Sequence, residues 1–302
     1  LPVPPEQDGN PHDPVPPGAE RTYSFNLPKG SAGTYWYHPH PHGHTAEQAF
    51  RGLAAPFIVR AAVDPLAGIS ERHLLISDLK LNADGSIADN DANDWMNGRE
   101  GQFVLINGQH QPTLELHGAE RWRLWNACNA RYLRLNLGGH SFSLVGSDGG
   151  LLEQPQTMTE ILLAPAERIE IIVQPGSEKR QFALTAEIYE RHKMGKVAAE
   201  RVITLAQVSL AAGQPVNLPN KLREIVDLGP ATAQKRVVFS ENMRMSNGQH
   251  QMDFLVNDQR FDMQRVDLSS QLGEVEEWEL VNDSHMDHPF HIHGCQFQVL
   301  EY

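Results

Sequence analysis

The chain has 302 residues, of which 40% are hydrophobic, enough for two or three domains with cores of their own. Its 38 acidic residues outnumber 25 basic ones, and the formal net charge of -13 would repel nucleic acid and anionic membranes. No apolar stretch reaches the ~20 residues of a membrane span, and 2 cysteines exclude a disulfide framework or a Cys-rich zinc site.

Short runs of alternating apolar and polar residues lie between frequent turn residues along the whole chain. The clearest runs are residues 23–27, 133–137 and 297–299. This alternation is typical of strands with one buried face, whereas long amphipathic helices are hard to find. The pattern predicts an all-β fold made of β-sandwich domains in series.

An internal repeat links the middle of the chain to its C-terminal part. FVLINGQ followed by RWRLWN, within residues 103–126, resembles DFLVNDQ followed by EWELVN, within residues 253–282. A repeat of this length indicates two copies of one domain. When the alignment is extended with a one-residue gap, Leu133, Asn136 and Gly138 fall on His288, His291 and His293, so the middle copy lacks these histidines.

Turn-rich stretches near residues 63–70 and 213–229 indicate where domains meet. We therefore predict three segments. Residues 1–65 are the C-terminal part of a first domain, residues 66–215 form a whole second domain without metal ligands, and residues 216–302 are the N-terminal part of a third.

Two clusters, residues 38–44 and 285–293, contain 8 of the 15 histidines. Even scattering would place about one there, so chance is a poor explanation. Clustered imidazoles without thiolates or paired carboxylates suit copper, zinc, iron or nickel better than calcium or magnesium. We favour copper on the arrangement of the histidines, and the alternative is a solvated histidine loop that binds metal adventitiously.

The spacing within each cluster predicts how its imidazoles are directed. His38 and His40 would share one face of a strand, because successive side chains of a strand point to opposite faces. His291 and His293 would share a face for the same reason, whereas His288, beyond Pro289, would be aimed elsewhere. One segment could then serve two metal centres.

Several other residues carry weaker expectations. We interpret His42, His44 and His285 as loop residues, or as neighbours of ligands, in preference to ligands. Cys128 and Cys295 are both expected to be buried free thiols. Asp8 precedes Gly9, a pair that is common in ordinary turns.

Two segments resemble the second and third copper segments of the multicopper oxidases, namely GTYWYHPHPHG (33–43) and HPFHIHGCQFQVL (288–300). Residues 1–25 resemble the stretch that follows the family's first segment, and the likeness extends over essentially the whole chain. It is greatest to the bacterial three-domain laccase-like and cuprous oxidases. The resemblance implies tandem cupredoxin-like Greek-key β-sandwich domains with copper as the cofactor.

By the resemblance, His38, His40 and His293 would bind the binuclear type 3 coppers, His291 the type 2 copper and His288 the type 1 copper. The implied reaction is one-electron oxidation of phenolic, amine or cuprous substrates coupled to four-electron reduction of dioxygen to water. Asp8 matches an acidic residue near the type 2 copper, where it would donate or relay protons. Bacterial members of the family are usually exported, which implies a periplasmic or secreted location.

The family's first segment, His-Trp-His-Gly, and its fourth, which contains His-Cys-His, are expected just before Leu1 and after Tyr302. We therefore expect the chain to be an internal fragment of a longer product and inactive by itself. The alternatives are a non-catalytic cupredoxin scaffold, like the cell-division relatives that lost their ligands, and a copper-storage protein. A two-domain nitrite reductase fits less well, because the middle copy has no ligands.

Overall fold

The computed structural model describes residues 1–246 and 249–301, which form two compact units. The first unit comprises residues 1–189, 199–224 and 291–302, and the second comprises residues 190–198 and 225–290. The described part contains three short helices, at Pro5–Gln7 (3-10), α1 at Thr45–Phe50 and α2 at Ala92–Asn97; its other regular elements are strands. The all-β prediction is confirmed.

The strands of the first unit are β1 (Gly33–Tyr37), β2 (Ala55–Val59), β3 (Ser70–Leu79), β4 (Phe103–Ile106), β5 (Gln109–His110), β6 (Thr113–Leu116), β7 (Glu120–Asn126), β8 (Leu133–Asn136), β9 (Phe142–Ser147), β10 (Gly150–Met158), β11 (Glu160–Leu163), β12 (Arg168–Val173), β13 (Arg180–Glu187) and β14 (Ile203–Leu210). Those of the second unit are β15 (Ala233–Ser246), β16 (Gln249–Val256), β17 (Gln259–Arg260) and β18 (Glu276–Asp283).

The middle of the chain forms a β-sandwich within the first unit. One sheet has the order β10-β9-β12-β7-β3-β4-β5 and the other has the order β11-β8-β13-β14-β6. Apolar side chains of both sheets pack into one core. Leu133, Leu135 and Leu137 are each no more than 1% exposed, which confirms the alternation predicted for residues 133–137. Strands β1 and β2 pair separately as an antiparallel ribbon.

Two predicted strands do not form. Residues 23–27 and 297–299 lie outside the strands, and Tyr23, Leu27, Phe297 and Val299 are each more than 40% exposed. Alternation of apolar residues specifies which face would be buried, but a strand also needs a neighbour that accepts and donates its backbone hydrogen bonds. Among the described residues, neither segment is part of a strand ladder.

The internal repeat corresponds to the same local structure in the two units. In the first, β3 pairs antiparallel with β4 and parallel with β7, and β4 turns back into β5. In the second, β15 pairs antiparallel with β16 and parallel with β18, and β16 turns back into β17. The similarity predicted from the sequence is therefore a shared strand pairing.

An asparagine stabilises each of the two repeated hairpins. Asn107 has a left-handed backbone, with φ of 52°, and its Oδ1 accepts from the Leu75 N–H at 2.9 Å while its Nδ2 donates to the His73 carbonyl at 2.8 Å. Asn257, with φ of 50°, makes the two equivalent bonds to β15 at 2.8 and 3.2 Å. Asparagine tolerates this conformation because its short polar side chain bonds locally.

No helix within residues 1–246 and 249–301 combines the length and the apolar character that crossing a bilayer requires. The two cysteines differ in environment. Cys128 is buried, and its burial raises the pKa of the thiol well above the ordinary value. Cys295 is exposed, so the prediction of a buried thiol is wrong there, because the segment after His293 packs into no strand.

Substitution of the hairpin asparagine should destabilise the sandwich. Asn107→Ala removes two hydrogen bonds and leaves a residue with a Cβ at positive φ, so we expect a loss of about 2 kcal/mol in the free energy of unfolding by urea. The matched control is Gln111→Ala, at an exposed position with φ of 49°, which shortens a side chain at positive φ without removing these two hydrogen bonds. Equal losses in the two variants would contradict the role given to the Asn107 side chain.

Candidate metal centre

The segment that carries His38 and His40 follows β1 directly but is not itself a strand. Strand β1 ends at Tyr37, and the next regular element is α1. The prediction that both histidines lie on one strand face is therefore wrong. Pro39 and Pro41 remove backbone donors and restrict the residues before them, so the chain leaves the ribbon as an irregular loop. The segment from 285 to 293 lies outside the strands as well.

Four imidazoles nevertheless come together in the first unit. The ring centroids of His38 and His40 are 5.7 Å apart, those of His40 and His293 are 5.1 Å apart, and those of His293 and His291 are 4.8 Å apart. The four rings thus form a row that joins the two sequence clusters. We call these four side chains the histidine row.

Hydrogen bonds at two members of the row determine which ring nitrogen is available. The Nδ1–H of His38 donates to the Pro39 carbonyl at 2.9 Å, and the Nδ1–H of His293 donates to Oδ2 of Asp8 at 3.0 Å. A carbonyl or a carboxylate can only accept, so each neutral ring keeps its lone pair on Nε2. An imidazole oriented in this way is the usual form of a metal ligand.

Burial favours the uncharged form of two members of the histidine row. It lowers the pKa of His38, and together with the nearby His293 and Arg168 it lowers the pKa of His291 from 6.5 to about 4. Nδ1 of His40 is buried and has no hydrogen-bond partner within the described residues. A buried polar nitrogen without a partner is costly, and a bound metal ion is one way to satisfy such a group.

The donor set of the row fits copper. Neutral imidazoles are good ligands for copper, and the carboxylate of Asp8 behind His293 is the kind of outer partner that orients a ligating ring. Within residues 1–246 and 249–301, no three His, Cys, Asp or Glu side chains already converge on one point as a single ion would require. The residues of the row therefore fit copper by the chemistry of their donor atoms and by the proximity of their rings.

Asp8 lies in a turn and also contacts a candidate ligand, and its role as a proton donor or relay stays a prediction. It follows the short helix Pro5–Gln7 and precedes Gly9, whose φ is 72°, so the pair does form a turn. Its carboxylate also contacts His293. The turn holds the backbone, which leaves the carboxylate free to act on the imidazole.

His288 belongs to the second unit and has other neighbours. Its Nε2 forms a hydrogen bond with Oγ of Ser284 at 2.8 Å, and its ring stacks on Phe239 with the centroids 5.7 Å apart. Burial lowers the pKa of His288, while the carboxylate of Glu241 acts in the opposite direction. The adjacent His285 is exposed and contacts Glu241 through both its ring and its backbone N–H.

The remaining clustered histidines differ in their surroundings. The ring centroid of His42 is 5.7 Å from that of His40, so His42 adjoins the histidine row. His44 stands at the N-terminal end of α1 and makes no capping bond with its side chain. Their interpretation as neighbours of ligands stays a prediction.

Sequence reasoning did not identify Trp36, Ser284 or Glu241 as neighbours of the candidate ligands. The ring of Trp36 lies 4.7 Å from that of His38, and the other two contact His288 and His285. Trp36 and Ser284 are close in sequence to the histidines that they contact, so inspection of the neighbouring positions could have identified them. Glu241 lies in β15, far from the cluster in sequence, and only strand pairing brings it there.

Packing fills two of the three aligned positions in the middle copy. Leu133 is fully buried in the sandwich core. Gly138 has a φ of +60°, and a Cβ at that position would come within 2.8 Å of the Cβ of Phe182. Left-handed backbone and a close neighbour both oppose any residue other than glycine there. Packing therefore occupies the places where the other copy has histidines.

The lowered pKa of His291 predicts a pH dependence. Between pH about 4 and 6.5 the unfolded chain binds a proton at this imidazole that the folded chain does not, so the contribution of His291 to stability falls as the pH is lowered through this window. In the metal-free protein, the ring resonances of His291, assigned with His291→Gln, should move only near pH 4. Movement near pH 6.5, as in the urea-unfolded control, would contradict the burial described here.

Comparison with known proteins identifies relatives of the whole chain. Sequence models of the multicopper oxidases match residues 2–64, 76–209 and 232–302. A multicopper oxidase of Staphylococcus haemolyticus is 31% identical over 97% of this chain and 60% of its own length. The cell division protein FtsP of Photorhabdus laumondii is 29% identical over 95% of this chain and 61% of its own length. The chain thus spans about three fifths of these relatives.

Solved structures show the same fold. A multicopper oxidase of Campylobacter jejuni, described as a metallo-oxidase, superposes with a TM-score of 0.91 at 44% identity, over 97% of this chain and 64% of that one. McoA, a multicopper oxidase of Aquifex aeolicus, superposes with a TM-score of 0.81 at 28% identity, over 100% of this chain and 69% of that one. The prediction of tandem cupredoxin-like Greek-key sandwiches is confirmed. The three family matches together take in most of the residues, and the chain belongs to the multicopper oxidase family.

Proposed function

We propose that the protein is a copper-dependent oxidoreductase that couples one-electron oxidation of a small reductant to the reduction of dioxygen to water. The observation that carries the proposal is the histidine row, in which two sequence clusters supply four imidazoles and neighbouring ring centroids lie 4.8 to 5.7 Å apart. His38, His40, His291 and His293 would hold the coppers that reduce dioxygen, with His291 on type 2 and the other three on type 3. His288 would hold the type 1 copper that accepts electrons.

Bound copper would supply one-electron redox chemistry and the ability to bind dioxygen. The residues of this chain have complementary tasks. Pro39 and Asp8 hold the rings of His38 and His293 in the tautomer that leaves Nε2 free. Burial keeps His291 unprotonated at neutral pH, so protons do not compete for its lone pair.

Asp8 has a second proposed task, the movement of protons. Reduction of dioxygen to water consumes protons, and a carboxylate that accepts from Nδ1 of His293 lies next to the row. Because Nδ1 of His293 already carries a hydrogen, Asp8 would take up and release protons at the carboxylate oxygen that does not contact His293. The same side chain would then orient a ligand and relay protons.

The reducing substrate would be a phenol, an amine or cuprous ion. The neighbourhood of His288 is where such a substrate would give up its electron. Met243 and Met245 are exposed on β15 in the same unit, and thioethers are soft ligands that suit cuprous ion. We propose a periplasmic or secreted location, in line with the family resemblance.

A non-catalytic scaffold is the alternative that the FtsP relative raises. The retention of all five candidate ligands, each in a cluster, opposes it, because a scaffold needs only the packing that the middle copy shows. A copper-storage protein would keep the ligands but would not consume dioxygen. Measurement of copper content together with oxygen consumption separates these functions.

Loss of one member of the histidine row should abolish copper-dependent activity. In the protein expressed from its complete gene, His40→Gln is expected to lower the copper content and to reduce oxygen consumption with a phenol, an amine or cuprous ion by more than about 100-fold. The matched control is His12→Gln, at an exposed histidine outside both clusters. A wild-type protein that binds copper and consumes no dioxygen would overturn the oxidase proposal in favour of storage or scaffolding.

Asp8→Asn tests the proton and orientation roles of the carboxylate. The substitution keeps the shape but removes the charge that holds Nδ1–H of His293, so we expect oxygen consumption to fall about 10- to 100-fold and its pH profile to change. Asp13→Asn is the control, since Asp13 is an exposed carboxylate paired with Arg21. Unchanged turnover and pH profile in Asp8→Asn would leave Asp8 as a turn residue alone.

A further inference from the structure

Strand β1, which leads directly into His38, is attached to the ligand-free sandwich by an indole. Nε1–H of Trp125 donates to the carbonyl of Tyr35 at 2.7 Å, and Trp125 is 1% exposed. Tyr35 is itself buried and lies three residues before His38. A single bond between the sandwich and β1 thus acts close to the first ligand.

A buried charged group makes a second attachment next to the first. Oγ1 of Thr34 donates to Oε1 of Glu170 at 2.6 Å and accepts from Nη1 of Arg123 at 2.6 Å. Arg123 also donates to the same oxygen of Glu170 at 2.6 Å, and Arg168 donates to the Thr34 carbonyl at 3.1 Å. Thr34 is fully buried, and Glu170 is 1% exposed. All three partners of Thr34 belong to the sandwich strands.

The sandwich also holds the chain on the far side of the ligands. Nδ2 of Asn129 donates to the carbonyl of Ala46 at 2.9 Å, two residues after His44. The guanidinium of Arg99 lies 3.7 Å from the centre of the Phe50 ring. The loop of residues 38–44 is therefore anchored at both of its ends to the same sandwich.

The second ligand segment contacts the sandwich near the same place. Nε2 of Gln296, three residues after His293, donates to the Gly149 carbonyl at 3.3 Å. Gly150 has a φ of +95°, and a Cβ added there would lie only 2.8 Å from the carbonyl oxygen of Ala32. The absence of a side chain at Gly150 therefore allows this close approach. Residues 149 and 150 thus lie between the chain that enters β1 and the chain that follows His293.

We propose that the ligand-free middle segment is the template that sets the spacing of the histidine row, and that Trp125 is a positioning residue for it. The proposal rests on the proposed function, since the row matters only if it binds copper. The loop of residues 38–44 has two prolines and no strand hydrogen bonds of its own, so its position must come from its anchors. Metal ligands need placement to within about 0.5 Å, which a loop reaches only when its supports are rigid.

The test compares two tryptophans of the same strand in the protein expressed from its complete gene. Trp125→Phe removes the bond to Tyr35, whereas Trp122→Phe removes an indole bond of 2.9 Å to Glu120, at an equally buried side chain that belongs to the core of the sandwich. We expect Trp125→Phe to weaken copper retention against a chelator more than tenfold. Trp122→Phe should retain copper as the wild type does, even if the midpoint of its thermal unfolding falls as far as that of Trp125→Phe.

Hydrogen exchange in the metal-free protein gives a readout that is independent of copper. Amides of residues 35–46 should exchange more than about tenfold faster in Trp125→Phe than in Trp122→Phe. Equal exchange and equal copper retention in the two variants would overturn the template. A wild-type protein that binds no copper would overturn the proposed function and with it the purpose of the template. Faster hydrogen exchange of residues 35–46 in Trp125→Phe than in Trp122→Phe would still show that Trp125 anchors the loop.

A second pair of variants covers the case in which Trp125→Phe does not fold. Thr34→Val keeps the shape of the side chain and removes the hydroxyl between Arg123 and Glu170, and Thr34→Ser keeps the hydroxyl. We expect faster exchange and weaker copper retention in the valine variant and rescue in the serine variant. The same loss in both variants would contradict the inference, because it would follow from packing alone.

Discussion

The carboxylate of Glu170 is the group on which the arrangement of the first unit depends. It is almost fully enclosed, and a buried carboxylate without partners would cost several kcal/mol. Arg121 and Arg123 neutralise it from the neighbouring strand β7, and Thr34 completes its hydrogen bonds from β1. Because the last partner comes from outside the sandwich, satisfying this charge requires β1 to lie against the sheet. The position of the loop that carries His38 and His40 follows from that requirement.

Much of the fold could be predicted from local pattern. Alternation at residues 133–137 identified a strand because its leucines face the core of a complete sandwich. The repeat identified a shared strand pairing because the asparagines that close its hairpins serve the same bonds in both copies. Alternation failed at residues 23–27 and 297–299, where the pattern is equally regular. Periodicity predicts which face of a strand would be buried, but it does not predict whether a partner strand exists.

The candidate site shows a similar division. Clustering singled out histidines that the fold brings together, since His40 and His293 come from opposite ends of the chain and their rings are neighbours. The argument from strand faces was wrong in detail, because Pro39 and Pro41 prevent a strand there. Contacts such as Asp8 with His293 and Trp125 with Tyr35 depend on tertiary packing. No spacing within either segment contains them, so only the resemblance could suggest Asp8, and nothing in the sequence could suggest Trp125.

The geometry at Gly138 has a consequence for how such chains can diverge. A histidine at that position would need a left-handed backbone and would collide with Phe182, so a point mutation to histidine at Gly138 is opposed by the surrounding structure. Changes in the opposite direction, from histidine to another residue, meet no comparable barrier. Divergence between repeats of this kind is therefore asymmetric. A copy whose core side chains pack into the ligand positions does not readily regain ligands, and it serves only to support the other domains.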